Sequence, residues 1–137
     1  MLVMTALKIR AQYFAHDLTI HTWLSTKGLV TSNLFDWIWN FSNDHVNFVM
    51  KEKDTGKVVS DFNYKYYLVP RSTDVTHFDT SRVGKDTFGK FIILERKKGE
   101  STGVGADYHL VEIVSYDENA LVLFYDRRAR LYFKPLE

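Results

Sequence analysis

From Asp17 onward, short segments rich in β-branched and aromatic residues alternate with polar turn clusters about every ten residues, a spacing that belongs to an antiparallel β-meander. Eight stretches read as strands: Leu18 to Ser25, Phe35 to Phe41, Val46 to Lys51, Val58 to Leu68, Phe88 to Arg96, Tyr108 to Tyr116, Leu121 to Tyr125 and Arg130 to Lys134. The fourth alternates cleanly, with Phe62, Tyr64, Tyr66 and Leu68 on one face and Asp61, Asn63, Lys65 and Tyr67 on the other. Asp54-Thr55-Gly56 supplies a hairpin turn, and Pro70, unable to donate to a ladder, ends the fourth strand ahead of a polar loop reaching about Thr87. Sequential antiparallel strands close economically as an up-and-down barrel, because closure removes both edges. Residues 2 to 14 mix Leu2, Val3, Ala6, Leu7 and Ile9 with Lys8, Arg10 and Gln12 in a pattern nearer a helix than a strand. The expected organisation is one all-β domain over 1–137, with a helical segment at 1–15 and an eight-stranded antiparallel up-and-down barrel over 17–135.

Composition removes several function classes. At 137 residues the chain is one domain with room for a core. The absence of Cys excludes disulfides, thiolate nucleophiles and cysteine zinc sites, and a net charge of +1 argues against a general nucleic-acid coat or a polybasic membrane binder. No apolar run approaches the ~20 residues of a membrane span. The apolar opening Met1 to Leu7 lacks a basic n-region and meets Lys8 and Arg10 where a cleavage region would be small and neutral, so it is expected to be native structure of a soluble protein.

Five stretches together resemble the small bacterial lipocalin-like domains: Leu18-Thr19-Ile20-His21-Thr22-Trp23, Trp39 to Asp44, Tyr64-Lys65-Tyr66-Tyr67-Leu68, Asn119 to Phe124, and Leu131-Tyr132-Phe133-Lys134. They span residues 18 to 134. Where that family has Gly-x-Trp, this chain has His21-Thr22-Trp23. The resemblance implies a barrel whose interior holds a small apolar molecule, and it carries over no catalytic residue.

Candidate chemistry is sparse. His16, His21, His45, His77 and His109 show no metal-ligand spacing, and no cofactor is expected. His77, Asp79, Ser81 and Arg82 lie together on the long loop, where a triad would lack a rigid scaffold and a solvated segment is the simpler reading. Glu95 and Glu112, on neighbouring strands, could form a carboxylate pair, although Arg96, Lys97 and Lys98 offer simpler partners. No enzyme is expected.

Aromatic residues dominate the strands, either as barrel filling or as the wall of a small cavity, since an eight-stranded interior is just wide enough for either. Trp23, Trp39, Phe48, Tyr64 and Tyr66 are the expected ligand-binding residues inside. Strand parity gathers Lys51, Lys53, Lys57, Arg96, Lys97, Lys98, Arg127, Arg128 and Arg130 against Glu52, Asp54, Glu100 and Asp126 at one end, so Arg96, Arg127 and Arg128 are expected at a basic mouth that favours a small, amphipathic, anionic ligand. Several strands are also apolar on their outward faces, which requires a cover: the N-terminal helix or a partner subunit. That makes a protein-interaction or assembly module, or a homo-oligomer, the rival reading. Single-stranded nucleic acid at Arg127-Arg128-Ala129-Arg130, with Tyr125 and Tyr132 for stacking, is the weakest.

Overall fold

A computed structural model describes residues 12–27, 33–100 and 107–136. Its strands are β1 (Tyr13–Phe14), β2 (Thr22–Lys27), β3 (Phe35–Phe41), β4 (His45–Glu52), β5 (Val58–Val69), β6 (Phe88–Gly89), β7 (Phe91–Glu95), β8 (Tyr108–Asp117), β9 (Ala120–Tyr125) and β10 (Ala129–Pro135), with one helix, α1 (Ala15–Thr19). Eight of them form a closed antiparallel barrel in the order β10-β2-β3-β4-β5-β7-β8-β9, while β1 and β6 pair separately. Closure is made by β10 on β2, where Phe133 lies opposite Ser25 and Pro135 opposite Trp23. Bulges at Thr26 of β2, Val59 of β5 and Val114 of β8 bend the ladders and add the local twist that closure needs.

Two expectations for the start of the chain are corrected. The described end of the expected 2–14 helix, Tyr13–Phe14, is a strand against Phe88–Gly89, and the rest of that helix lies outside the described residues. The helix falls instead on Ala15–Thr19, overlapping at Leu18-Thr19 the stretch read as the first strand. Its start is fixed by Asp17, whose carboxylate accepts the Phe14 backbone N–H at 2.9 Å. Leu18, fully buried, plugs one end of the barrel, and its carbonyl accepts the Trp23 indole N–H at 3.1 Å. Burial of two apolar residues, Ala15 and Leu18, together with this bond outweighs the β-propensity of Thr19 and Ile20.

The fifth expected strand is also broken, into β6 and β7, at Gly89-Lys90. At Gly89 the chain passes so close to Val69 that a Cβ would lie 2.2 Å from the Val69 carbonyl.

Inside the barrel, Trp23, Trp39, Phe41, Val46, Tyr64, Tyr66, Leu68, Ile92, Leu94, Val111, Ile113, Leu121, Leu123, Leu131 and Phe133 form the core with Tyr13, Ala15 and Leu18 of the plug. A second core lies outside. Tyr67, Val69, Ile93, Tyr108 and Leu110, on the outward faces of β5, β7 and β8, are covered by Val75, Phe78 and Val83 of the 70–87 segment. The cover expected from a terminal helix or a partner is therefore supplied, over these three strands, by the chain's own loop. That loop is fastened rather than merely solvated: the Phe78 N–H donates to Asp107, the Asp79 N–H donates to the Tyr67 hydroxyl, and the Arg82 guanidinium lies 4.8 Å from the Tyr67 ring centre.

Two glycines with positive φ, Gly89 and Gly56, differ in what they tolerate. Gly89→Ala, which needs backbone displacement, is expected to lower unfolding free energy by more than about 3 kcal/mol. Gly56→Ala, at φ 72° with open space around it, should cost only about 1–2 kcal/mol. Urea denaturation of both variants checks the difference.

Candidate functional site

The barrel has one plugged end and one end formed by the turns β4–β5, β7–β8 and β9–β10. Near this second end lies a cavity of about 140 Å³ lined by Ser25, Trp37, Trp39, Phe48, Tyr125, Leu131 and Phe133. Strand alternation puts Ser25, Trp37, Trp39 and Phe48 on the inward faces of β2, β3 and β4. The Trp39 and Phe48 rings stack with centres 4.1 Å apart, and Phe133 lies 5.1 Å from Trp39.

Of the expected ligand-binding residues, only Trp39 and Phe48 line this cavity. Tyr64 borders it through Phe48, 4.7 Å away. Trp23 and Tyr66 are fully buried at the plugged end, where the Tyr66 hydroxyl donates to the Ser42 carbonyl at 2.6 Å. Their hydrogen bonds to backbone carbonyls make them braces of the closed end. Arg127 and Arg128 stand exposed on the β9–β10 turn, and Arg96 donates to the Glu100 carbonyl at 3.0 Å. Other cations of this end have acidic partners: Lys53 with Asp36 at 3.4 Å and Lys97 with Glu95 at 3.6 Å. Glu95 and Glu112 do not face each other, since Glu95 lies opposite Tyr108 and Glu112 opposite Phe91, and Glu112 pairs with Lys90 at 3.1 Å.

A buried polar chain escaped the sequence reading. His109, 5% exposed, points inward from β8 between two carboxylates. Its Nδ1 lies 2.7 Å from Asp126 of the β9–β10 turn and its Nε2 lies 3.2 Å from Glu100 of the β7–β8 connection. Glu100 also accepts the Tyr64 hydroxyl and the Lys97 backbone N–H, and Asp126 accepts the Leu110 N–H at 2.9 Å. Asp126 and Arg127 both have positive φ, the geometry of a two-residue hairpin turn whose twist matches its strands. The chain reaches the cavity wall through Tyr125, whose ring lies 5.3 Å from His109.

Burial alone would push the His109 imidazole down, but hydrogen bonds to Asp126 and Glu100, with their charges, outweigh it and raise its pKa. For Glu100, burial pushes up while hydrogen bonds from Tyr64, Lys97 and His109 hold it below the usual carboxylate range. Burial, then the neighbouring Glu100, raises Tyr64; burial, then the charges of Asp126 and Glu100, raises Tyr125. Both phenols stay protonated at neutral pH. The arrangement favours the protonated imidazole between two carboxylates and ties two turns together. Because His109 lies between the carboxylates, they do not converge on a common point, and no group of three or more potential metal ligands occurs among the described residues.

Comparison of the chain with protein-family models, with curated proteins and with solved structures finds no match in any of the three. The site therefore has to be read from its own geometry.

A raised His109 stabilises the fold fully below its unfolded value near 6.5 and loses that contribution as pH climbs through the folded value. A lowered Glu100 contributes above its unfolded value near 4.5 and loses that as pH falls through the folded one. Unfolding free energy should therefore be greatest between about pH 4.5 and 6.5 and decline on both sides. In His109→Gln the decline just above pH 6.5 should disappear, which chemical denaturation across pH will show.

Proposed function

We propose that this chain is a non-enzymatic binding protein whose barrel takes one small molecule about the size of a single ring, at the end opposite the Leu18 plug. The observation that carries this reading is the cavity of about 140 Å³ between Trp37, Trp39, Phe48, Tyr125, Leu131 and Phe133. A dry apolar cavity of about 150 Å³ in a protein core is enough to bind benzene. The wall offers aromatic faces and very little polar surface, so a ligand gains chiefly by burying its apolar body.

Other features support binding over catalysis. His109 is engaged on both ring nitrogens and sealed from solvent, so it offers no free lone pair to a substrate. The resemblance to lipocalin-like domains points the same way, and the plugged barrel with a Trp hydrogen-bonded to the plug accords with it. The size of the cavity narrows the ligand: a ring fits, whereas a long acyl chain would need the core residues below Trp39 to move.

Two of the three Trp residues line the cavity, so intrinsic fluorescence reports on it directly. Titration with toluene should give a saturable change, and dodecanoate should not compete with it. Leu131→Trp, which fills the cavity, should weaken toluene binding at least about tenfold, since it replaces the ligand's contacts with its own. Unsaturable change, or binding that survives Leu131→Trp, would refute the site.

A further inference from the structure

The chemical class of the ligand follows from the few polar groups of the wall, and this inference rests on the ring-sized site proposed above. The Trp37 indole N–H is buried with no hydrogen-bond partner. The Ser25 and Tyr125 hydroxyls, on the same wall, make no hydrogen bond to any described residue. All three groups are donors. Indole nitrogen can only donate, and the Tyr125 phenol keeps its proton because it is buried and faces the charges of Asp126 and Glu100. The buried, unpartnered Trp37 N–H, with the half-buried Ser25 and Tyr125 hydroxyls on the same wall, favours an acceptor brought by a ligand.

Fixed charge beside the cavity decides whether that acceptor carries a formal charge. Asp126 and Glu100 set two carboxylates against the one imidazole of His109, Arg96 donates to the Glu100 carbonyl, and Tyr125 packs on that imidazole. No charged residue lines the cavity itself, while Arg127 and Arg128 are exposed on their turn, Lys97 pairs with Glu95 and lies over the Tyr64 ring, and Lys53 pairs with Asp36. A carboxylate entering this cavity would lose its hydration with no cationic residue in the lining to meet it and with the Asp126 and Glu100 carboxylates behind Tyr125.

We infer that the cavity selects an uncharged, ring-sized molecule bearing one acceptor oxygen, of the aryl alcohol or aryl ketone class, and that Ser25, Trp37 and Tyr125 set this specificity. The preference differs from the anionic ligand to which the rim charges alone point. It separates two roles: the exposed arginines act on the outer surface, and the donors of the wall act on the ligand.

The test is fluorescence titration of the full chain with toluene, benzyl alcohol and benzoate, three ligands sharing a ring and differing in the polar group. Benzyl alcohol should bind at least about tenfold tighter than benzoate. Tyr125→Phe, Ser25→Ala and Trp37→Phe should together account for its preference, each contributing variant weakening benzyl alcohol about three- to tenfold while changing toluene less than about twofold. Each variant is first required to keep the wild-type melting temperature. Benzoate binding as tightly as benzyl alcohol, or benzyl alcohol affinity unchanged in all three variants, would overturn the inference while toluene binding still upheld the site. Failure of all three ligands to bind would overturn the site and the inference together.

Discussion

Pairing of β10 with β2 is the constraint on which the remaining architecture depends. It joins the last strand to the first barrel strand, over 100 residues apart, and converts a meander with two exposed edges into a closed wall. Closure with eight strands fixes the interior at a width that side chains almost fill. The plugged end is filled by Trp23, Tyr66, Phe41 and Tyr13, packed edge to face with Tyr116 and with one another. Towards the other end the inward positions include the small Ser25 opposite Phe133, and space remains beside Trp39. The cavity is thus what one small side chain leaves in a wall of large ones.

The second organising interaction is the carboxylate–imidazole–carboxylate chain. Asp126 satisfies a backbone N–H on β8 and one nitrogen of His109, and Glu100 takes the other nitrogen along with the Tyr64 hydroxyl and a backbone N–H. Buried charge is tolerated because every member is partnered. Removing one partner would leave a buried ion uncompensated, so the chain fixes the two turns at the barrel's unplugged end as a unit. Its position against Tyr125 sets both the protonation of that phenol and the electrostatic character of the cavity.

Much of the barrel was legible in the sequence because alternation is a local signal. Val58 to Leu68 announces its two faces residue by residue, and Asp54-Thr55-Gly56 marks its own turn. The helix Ala15–Thr19 was not legible, since Leu18-Thr19-Ile20 has the composition of a strand and is helical only because Leu18 docks into the barrel. The 70–87 segment reads as polar, and its three anchors Val75, Phe78 and Val83 lack any period that would reveal a packed cover. Inward Trp39 and Phe48 line the cavity, whereas Trp23 and Tyr66 share their parity but lie at the plugged end, a distinction that alternation does not contain. Glu100, His109 and Asp126 come from two turns and a strand, so only the closed topology brings them together. A signal was present all the same: a His on the inward face of an otherwise apolar strand requires polar partners, and parity places both neighbouring turns at its end.

The account stands on the unplugged end of this barrel holding a ring-sized space bounded by aromatic side chains. Two-dimensional amide and indole N–H NMR of the labelled chain during titration with toluene tests it most directly. The account predicts saturable shifts centred on Ser25, Trp37, Trp39, Phe48, Tyr125, Leu131 and Phe133, including the Trp37 and Trp39 indole signals, with Trp23 at the plugged end little changed. Shifts confined to the exposed Phe14–Phe88 pair, or absent from both cavity indoles at saturation, would contradict it.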